Sequence, residues 1–275
     1  RGRGAMIQDI TLGQYFPISS VIHRLDPRIK LALTFVLIIF VFVASSAVST
    51  LLVVAAAVTL VALTRVPFKL YLRGLRPILL ILLFTSILNI FYVKTGTVLV
   101  EWKWLLITTD GVLRCVRIAV RIAVMILISC ALTYTTSPTD LTTALEHLMR
   151  PLKLVRVPVH DIAMMMTIAL RFVPTLLEET DKITSAQKAR GADLESGSLM
   201  QRMRAMIPIL IPLFVSAFRR AYDLAMAMEC RCYHGGDGRT SMKQLRLHQR
   251  DYMALVWSAL FCAGVILCNW IPPQL

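Results

Sequence analysis

Two short polar stretches carry the side chains best suited to binding. The first is Gln187-Lys188-Ala189-Arg190-Gly191, and the second is Met228-Glu229-Cys230-Arg231-Cys232-Tyr233. In each stretch an arginine stands between small residues, which are Ala189 and Gly191 around Arg190, and Cys230 and Cys232 around Arg231. Arginine offers a planar fork of donors that matches a carboxylate, and small neighbours let another backbone come close. The pattern indicates a contact with a second protein, although an arginine before glycine is also an ordinary helix end.

The same region offers little for catalysis. Cys230, Cys232 and His234 have no second cluster that would complete four metal ligands. The turn Gly235-Gly236-Asp237-Gly238 lacks the spacing of a phosphate-binding loop, and the chain has no P-loop with which to hydrolyse ATP. We therefore predict no catalytic residue, no metal site and no cofactor held by this chain.

A row of arginines leaves two interpretations open. Arg114, Arg117 and Arg121 are spaced to share one face of a helix within an apolar run. Arginines inside a membrane usually face the bundle and pair with another group, so we predict structural roles for Arg117 and Arg121, in a salt bridge or by snorkelling to lipid headgroups. The second interpretation is a contact with a substrate or a partner. If the whole chain were instead a membrane-embedded enzyme, such as a lipid-modifying transferase, its polar site would consist of Arg117, Arg121, His147 and His160.

Composition excludes an ordinary soluble domain. The chain has 275 residues, of which 57% are hydrophobic, and its formal net charge is +14. Such a charge is compatible with nucleic-acid binding, but the basic residues flank apolar runs and do not form one basic domain. The chain is therefore predicted to be a multi-pass membrane protein in contact with the lipid bilayer and without a nucleic-acid partner.

The apolar runs predict an all-α polytopic membrane protein with about five transmembrane helices. Residues 1–5 look like a cloning remnant. Residues 6–136 form a membrane domain with four spans, at 29–43, 47–63, 77–93 and 112–134, joined by a basic loop at 65–76 and a mixed loop at 94–110. Residues 251–275 hold the last span. The distribution of lysine and arginine places the N-terminus in the cytosol and the C-terminus outside.

Residues 137–250 are predicted to form a cytosolic or interfacial domain of two long helices and one short helix. The short helix covers 141–149. Long helical patterns begin near Pro158 and Ser198, and each ends at one of the two arginine stretches. The middle of the second pattern, 207–218, is apolar enough for a sixth span, but Pro208 and Pro212 favour a helix packed under the membrane domain.

Several short motifs, in this order, resemble those of one family. They are Leu25-Asp26-Pro27-Arg28-Ile29-Lys30, Thr135-Thr136-Ser137-Pro138, Leu170-Arg171-Phe172-Val173-Pro174 and the two arginine stretches. The chain resembles, from about residue 18 to residue 270, the transmembrane T component of energy-coupling factor (ECF) transporters. These are bacterial importers of vitamins and metal ions in the ATP-binding cassette class.

The resemblance implies a scaffold in the bacterial cell membrane that joins two cytosolic ATPase subunits, EcfA and EcfA', to a substrate-binding S component. The ATPases would bind ATP and magnesium, and would receive the two helix tips in grooves. The second tip departs from the usual alanine and glycine neighbours of its arginine. The residues implied in docking the ATPases are Ala189, Arg190, Gly191, Cys230, Arg231 and Cys232. Those that would couple to the S component or the membrane are Met165, Met166, Phe172, Met206 and Phe214.

Overall fold

The computed structural model describes residues 15–92, 98–102, 105–193, 196, 198–235, 245 and 247–270. The predicted cloning remnant, the turn at 236–238 and the C-terminal tail at 271–275 lie outside these residues. The described parts of Arg1–Ala144 and Gln244–Leu275 form one compact unit, and those of Leu145–Lys243 form a second. We refer to them as the membrane unit and the hairpin unit.

Eight α-helices account for most of the described residues. They are α1 (Pro27–Val43), α2 (Ala47–Thr64), α3 (Phe68–Tyr92), α4 (Thr109–Thr135), α5 (Pro138–Leu148), α6 (Val159–Ala189), α7 (Leu199–Glu229) and α8 (Gln249–Trp270). A 3₁₀ helix covers Arg150–Val155, and strands β1 (Val98–Trp102) and β2 (Leu105–Thr108) form a short antiparallel hairpin where a loop was predicted. The β-branched and aromatic residues of this segment favour a hairpin. Apart from this short hairpin, the predicted all-α membrane fold is confirmed.

Five described helices are long and apolar enough to cross a membrane: α2, α4, α6, α7 and α8. The number agrees with the prediction, but the set differs from the predicted α1, α2, α3, α4 and α8. With 17 residues, α1 is only about 25 Å long. Three basic residues, Lys69, Arg73 and Arg76, lie at the start of α3, and the predicted span at 77–93 extends beyond the part of α3 whose side chains the structure describes. Conversely, α6 and α7 carry charged residues, but each still contains an apolar stretch long enough to cross a membrane.

The membrane unit is built around α4, which packs against α1, α2 and α3, while α8 packs against α1 and α2. Small and branched side chains fill the contact, among them Val53, Ala57, Ile128 and Val265. Many large apolar side chains are exposed instead: Leu80 is 75% exposed and Trp257 is 73% exposed, for example. A surface of this kind suits lipid and not water.

A buried carboxylate, Asp251, ties the start of α8 to the start of α1. Its side chain is 1% exposed. It accepts hydrogen bonds from the backbone N–H groups of Asp26 and His248, both at 2.8 Å. Asp26 in turn caps α1 by accepting the N–H of Arg28 at 2.9 Å, and the Arg28 side chain donates to the Leu245 carbonyl at 3.0 Å. The motif around Pro27 therefore joins both ends of the membrane unit's chain.

Lys30 connects the same region to the end of α4. Its side chain is buried, and its Nζ donates to the carbonyl oxygens of His23 at 3.1 Å and Thr135 at 3.0 Å. Thr135 is the last residue of α4, where carbonyl groups lack partners within the helix and carry partial negative charge. We call Asp26, Arg28, Lys30 and Asp251 the N-terminal junction.

His23 lies beside this junction as a neutral imidazole. Its Nε2 is 3.0 Å from the Phe16 carbonyl, which can only accept, so Nε2 carries the hydrogen and Nδ1 accepts from the Ser20 hydroxyl at 2.7 Å. Burial lowers the pKa of His23 below its ordinary value, and the charge of Lys30 lowers it further. The neutral ring therefore stabilises the fold near pH 7. That stability is lost as the pH falls below the ordinary histidine pKa.

At the opposite end of α1, one amide holds the turn into α2. Asn269 of α8 donates to the Val43 carbonyl at 2.7 Å. Its carbonyl oxygen accepts from the backbone and side chain of Ser45, both at 3.2 Å, and from the Ser46 N–H at 3.4 Å. These hydrogen bonds supply partners for the backbone groups of a very short turn. The turn lies where the sequence predicted a break between two spans.

The predicted basic loop at 65–76 is wrong for most of its length, because α3 begins at Phe68 and contains Pro77 in its interior. Tertiary packing explains the extension. Tyr71 is fully buried, bonds Thr64 at 2.9 Å and packs edge-to-face on Tyr134 of α4 at 5.2 Å. The Tyr134 hydroxyl also donates to the Leu70 carbonyl at 3.1 Å. These contacts hold the turns before the proline in helical form.

We expect Asp251→Asn to lower the free energy of unfolding by about 1–3 kcal/mol, since the amide nitrogen cannot accept one of the two backbone N–H groups. Thermal unfolding of the detergent-solubilised chain measures this change. Asp223→Asn is the matched control, because Asp223 is exposed and forms no hydrogen bond or ion pair with any residue that the structure describes. Equal unfolding midpoints for the two variants would show that the junction does not depend on the charge of Asp251.

Candidate functional site

The hairpin unit places α6 and α7 side by side in opposite directions. Three contacts define their register. They are an ion pair from Arg220 to Glu179 at 2.8 Å, a hydrogen bond from Gln187 to the Pro208 carbonyl at 3.4 Å, and one from the Tyr233 hydroxyl to Met164 Sδ at 3.2 Å. Along α6 the contacts come in the order Met164, Glu179, Gln187, and their partners come in the reverse order along the chain. The two helices are therefore antiparallel.

The Gln187 contact follows from the position of a proline. Pro212 has no N–H, so the carbonyl of Pro208, four residues earlier, has no partner within α7. The Gln187 side chain of α6 supplies a donor to that oxygen. The proline therefore leaves a free acceptor on α7 that the neighbouring helix uses, and α7 continues through Pro208 and Pro212 as one helix.

The first arginine stretch closes α6 with a Schellman motif. Gly191 has a left-handed backbone, with φ of +85°. The N–H of Gly191 donates to the Lys188 carbonyl and that of Ala192 donates to the Gln187 carbonyl, both at 3.0 Å. These are the two backbone hydrogen bonds of the motif. Arg190 is the residue immediately before the left-handed position, and its side chain is exposed.

The second stretch repeats this geometry with different residues. Cys232 has a left-handed backbone, with φ of 55°. Its N–H donates to the Glu229 carbonyl at 2.8 Å, and the Tyr233 N–H donates to the Met228 carbonyl at 3.1 Å. Arg231 again precedes the left-handed residue. A cysteine in this conformation costs about 1–2 kcal/mol that glycine avoids, so the turn is kept even where its residue does not favour it.

The two arginines therefore present the same local geometry at opposite ends of the hairpin. A helix of 31 residues is roughly 45 Å long. The antiparallel register puts the end of α6 beside the start of α7, and the reverse. Both arginine side chains are exposed, and no described residue forms a hydrogen bond or ion pair with either. The backbone bonds of the motif satisfy two carbonyl groups at each tip without the guanidinium.

The face of α7 is apolar and open in this chain. Large exposed side chains recur every three or four residues, including Met203, Leu210, Phe218 and Tyr222. Of the residues predicted to couple to the S component or membrane, Met165, Met166, Met206 and Phe214 are exposed and Phe172 is half-buried. Helical spacing gathers the α7 members of this set on one stripe.

The arginines of α4 belong to the membrane unit. Arg121 Nη2 donates to the Ala44 carbonyl at 2.7 Å, and its guanidinium carbon is 5.9 Å from the centre of the Phe42 ring. Arg117 lines a small crevice beside it. The contact of Arg121 is thus to a backbone oxygen and an aromatic ring, and its structural role and that of Arg117 remain predictions.

The histidines proposed for an enzyme lie in the hairpin unit. His160 Nδ1 is 2.9 Å from Glu146, which links α5 to α6. Across the part of the chain that the structure describes, no group of three or more histidine, cysteine or acidic residues is arranged to hold a metal ion. Cys230 and Cys232 are exposed free thiols.

Sequence reasoning missed the contacts made by Asp251, Asn269, Gln187 and the Glu179–Arg220 pair. A signal existed for the first two, because a carboxylate and an amide near the ends of an apolar span are expected to have partners. No such signal existed for the Glu179–Arg220 pair, because each of these residues is one of several charged residues on its helix and the sequence does not single it out.

Comparison with known proteins identifies the family. Residues 18–242 match the model of the CbiQ family, described as cobalt transport protein. The chain is 50% identical over 266 residues to the energy-coupling factor transporter transmembrane protein EcfT of Ruminiclostridium cellulolyticum, covering 97% of this chain and 99% of that one. Identity to the EcfT of Clostridium kluyveri is 47%, with 96% of each chain covered. Identity to that of Bacillus subtilis is 43%, with 91% of this chain and 95% of that one covered.

These matches confirm the predicted family and do not support the alternative of a membrane-embedded enzyme. They cover nearly the whole chain, including both arginine stretches and the residues of the N-terminal junction. The chain belongs to the CbiQ/EcfT family of transmembrane components of energy-coupling factor transporters.

Proposed function

We propose that this chain is the scaffold that couples two cytosolic ATPase subunits to a membrane S component, for uptake of a vitamin or a metal ion. The observation that carries the proposal is the repeated tip: the same turn, with an exposed arginine at the same position, at each end of an antiparallel helix pair. Family membership supports the transporter assignment, and the names of the relatives are those of the transmembrane protein of such transporters.

The tips suit a protein partner for two reasons. Each guanidinium has no described partner within the chain, so a carboxylate of an ATPase subunit can take its planar fork. The turn is also open. A Cβ added to Gly191 would meet no heavy atom of the described residues within 4 Å, so no described part of this chain requires the space that glycine leaves. An ATPase groove is the occupant we propose for it.

The distance between the tips favours two docking sites over one. Two arginines at opposite ends of a hairpin roughly 45 Å long cannot enter one groove. Each would dock with a separate subunit, EcfA at one tip and EcfA' at the other. ATP and magnesium would be bound by those subunits. A change in the distance between the two ATPases would then act on both ends of the hairpin.

The apolar face of the hairpin supplies the second partner. The exposed Met165, Met166, Met206 and Phe214 offer a surface that the S component would cover, together with lipid. Methionine side chains adapt to different partner shapes. In this proposal α6 and α7 lie at the cytosolic membrane surface and do not span the bilayer, although each is long and apolar enough to do so.

Orientation follows from the basic residues, with the N-terminus in the cytosol and the C-terminus outside the cell membrane. In a variant without native cysteines, we expect single cysteines at positions 65 and 236 to react only from the cytosolic side, and one at 274 only from the outside. An impermeant maleimide applied to intact cells and to inverted vesicles measures this. Reaction of position 236 from outside would contradict the proposed orientation.

Bulk beside the first arginine tests groove docking. Gly191→Trp should weaken ATPase binding although Arg190 remains, because the groove wall can no longer approach. Gly191→Ala is the matched control, since it carries the same left-handed backbone strain without the bulk. Co-purification of ATPase subunits is the measurement. Equal retention in the two variants would mean that no partner surface comes close to Gly191.

The two arginines should act separately in assembly and together in transport. Removing one charge-assisted contact costs roughly 2–5 kcal/mol when the partner carboxylate stays buried. We expect Arg190→Ala or Arg231→Ala alone to reduce or abolish uptake while much of the complex still assembles. The double variant should release the ATPases. Lysine should rescue each site only in part, because it lacks the fork.

Uptake and ATPase co-purification of these variants provide the test, with Arg219→Ala as control. Arg219 is exposed on α7 about three turns before the tip, so its loss removes one charge without touching the turn. A double variant that keeps both its ATPases and its uptake would reduce Arg190 and Arg231 to helix caps.

A further inference from the structure

The first half of α4 carries a row of arginines that the proposed coupling function does not use. Arg114, Arg117 and Arg121 are three and four residues apart, so they lie on one face of the helix. This helix is long and apolar enough to cross a membrane, and it starts at Thr109. The row therefore begins close to one membrane surface and runs about 10 Å into the span.

Only the innermost arginine has a described partner. Arg121 donates to the Ala44 carbonyl at the end of α1 and lies beside the Phe42 ring. Arg117 is half-buried and Arg114 is exposed, and neither forms a hydrogen bond or ion pair with any residue that the structure describes. Asp110 lies one turn before Arg114, yet no ion pair joins them. Arg114 and Arg117 thus face the membrane boundary without an ion-pair partner among the residues that the structure describes.

Their surroundings make an unpaired charge costly. Arg117 and Arg121 line a small crevice between α1, α2 and α4 whose other walls are apolar, except for Thr50. Charged groups in such an environment need a partner or access to the interface. The turn at Ser45 and Ser46, held by Asn269, lies at the same end of α1 and marks where the chain leaves the apolar layer.

Exposed apolar side chains adjoin the arginine row. Leu113 is 60% exposed and Val116 is 56% exposed on α4, and Phe42 of α1 is 57% exposed. A free phosphate ion would have no use for this surface. A phospholipid would use both parts, with its phosphate on the arginines and its acyl chains along the apolar side chains. Arginine also binds phosphate oxygens in the bidentate manner that lysine cannot.

We propose that Arg114 and Arg117, with Arg121 positioned by Ala44, bind the phosphate of an anionic phospholipid in the leaflet where α1 ends. Arg121 orients the site and neutralises its innermost part, while Arg114 and Arg117 contact the headgroup. The site lies on the membrane unit and is independent of ATPase docking at the hairpin tips.

Native mass spectrometry of the full chain, released from detergent containing phosphatidylglycerol or phosphatidylcholine, tests this proposal. The wild type should retain phosphatidylglycerol in preference to phosphatidylcholine. Arg114→Gln with Arg117→Gln should weaken that binding by about fivefold for each arginine. Arg73→Gln with Arg76→Gln is the matched control, because it removes the same charge from exposed positions of α3 and should leave the preference intact.

Further arms separate the alternatives. Equal losses in the two double variants would overturn the site in favour of non-specific charge attraction. Displacement of phosphatidylglycerol by excess inorganic phosphate would overturn the lipid assignment and leave a free-phosphate site. If the double variant loses its helical circular dichroism, Arg114→Gln alone carries the test, since this residue is exposed, and a loss of about fivefold is expected. An unchanged preference in a folded Arg114→Gln variant would contradict the proposal.

Discussion

The membrane unit depends on a constraint that every helix in a bilayer meets: the last carbonyl groups of the helix have no partner within it. In this protein side chains from other helices supply the missing donors. Lys30 of α1 donates to the last residue of α4, and Asn269 of α8 donates to the last residue of α1. Arg121 of α4 donates to Ala44, the residue that follows α1. The few polar side chains of an apolar unit thus become the contacts that join its helices.

The N-terminal junction extends this principle to both signs of charge. Asp251 accepts hydrogen bonds from two backbone N–H groups, and Lys30 donates hydrogen bonds to two backbone carbonyl groups. Buried charges are tolerated when they are hydrogen-bonded on all sides and balanced by opposite charge. The Asp-Pro-Arg motif is therefore a structural device that fixes α1 against α4 and α8, and its proline and cap also start α1.

The hairpin unit solves the same problem differently. At its two tips, the backbone N–H groups of the left-handed residue and of the residue after it donate to carbonyl groups of the helix itself. The arginine is then not needed as their donor, in contrast to Lys30 in the membrane unit. Lys30 and Arg121 are used within the fold as hydrogen-bond donors to helix ends, whereas Arg190 and Arg231 remain available to a partner. Cys232 holds the left-handed position that Gly191 holds at the other tip, so the turn and not the residue type is common to both.

Local signals in the sequence determined much of the outcome. The break at Ala44–Ser46, the cap at Asp26 with Pro27, the short helix after Ser137 and the helix ends at both arginine stretches depend on residues a few positions apart. The tertiary structure decided what links distant residues. Asp26 and Asp251 are 225 positions apart, and no periodicity marks them as partners. Pro77 suggested a helix start, but burial of Tyr71 against α4 extends the helix before it. Only the antiparallel register puts Arg190 and Arg231 at opposite ends, because the pattern of each helix is the same whichever way its neighbour runs.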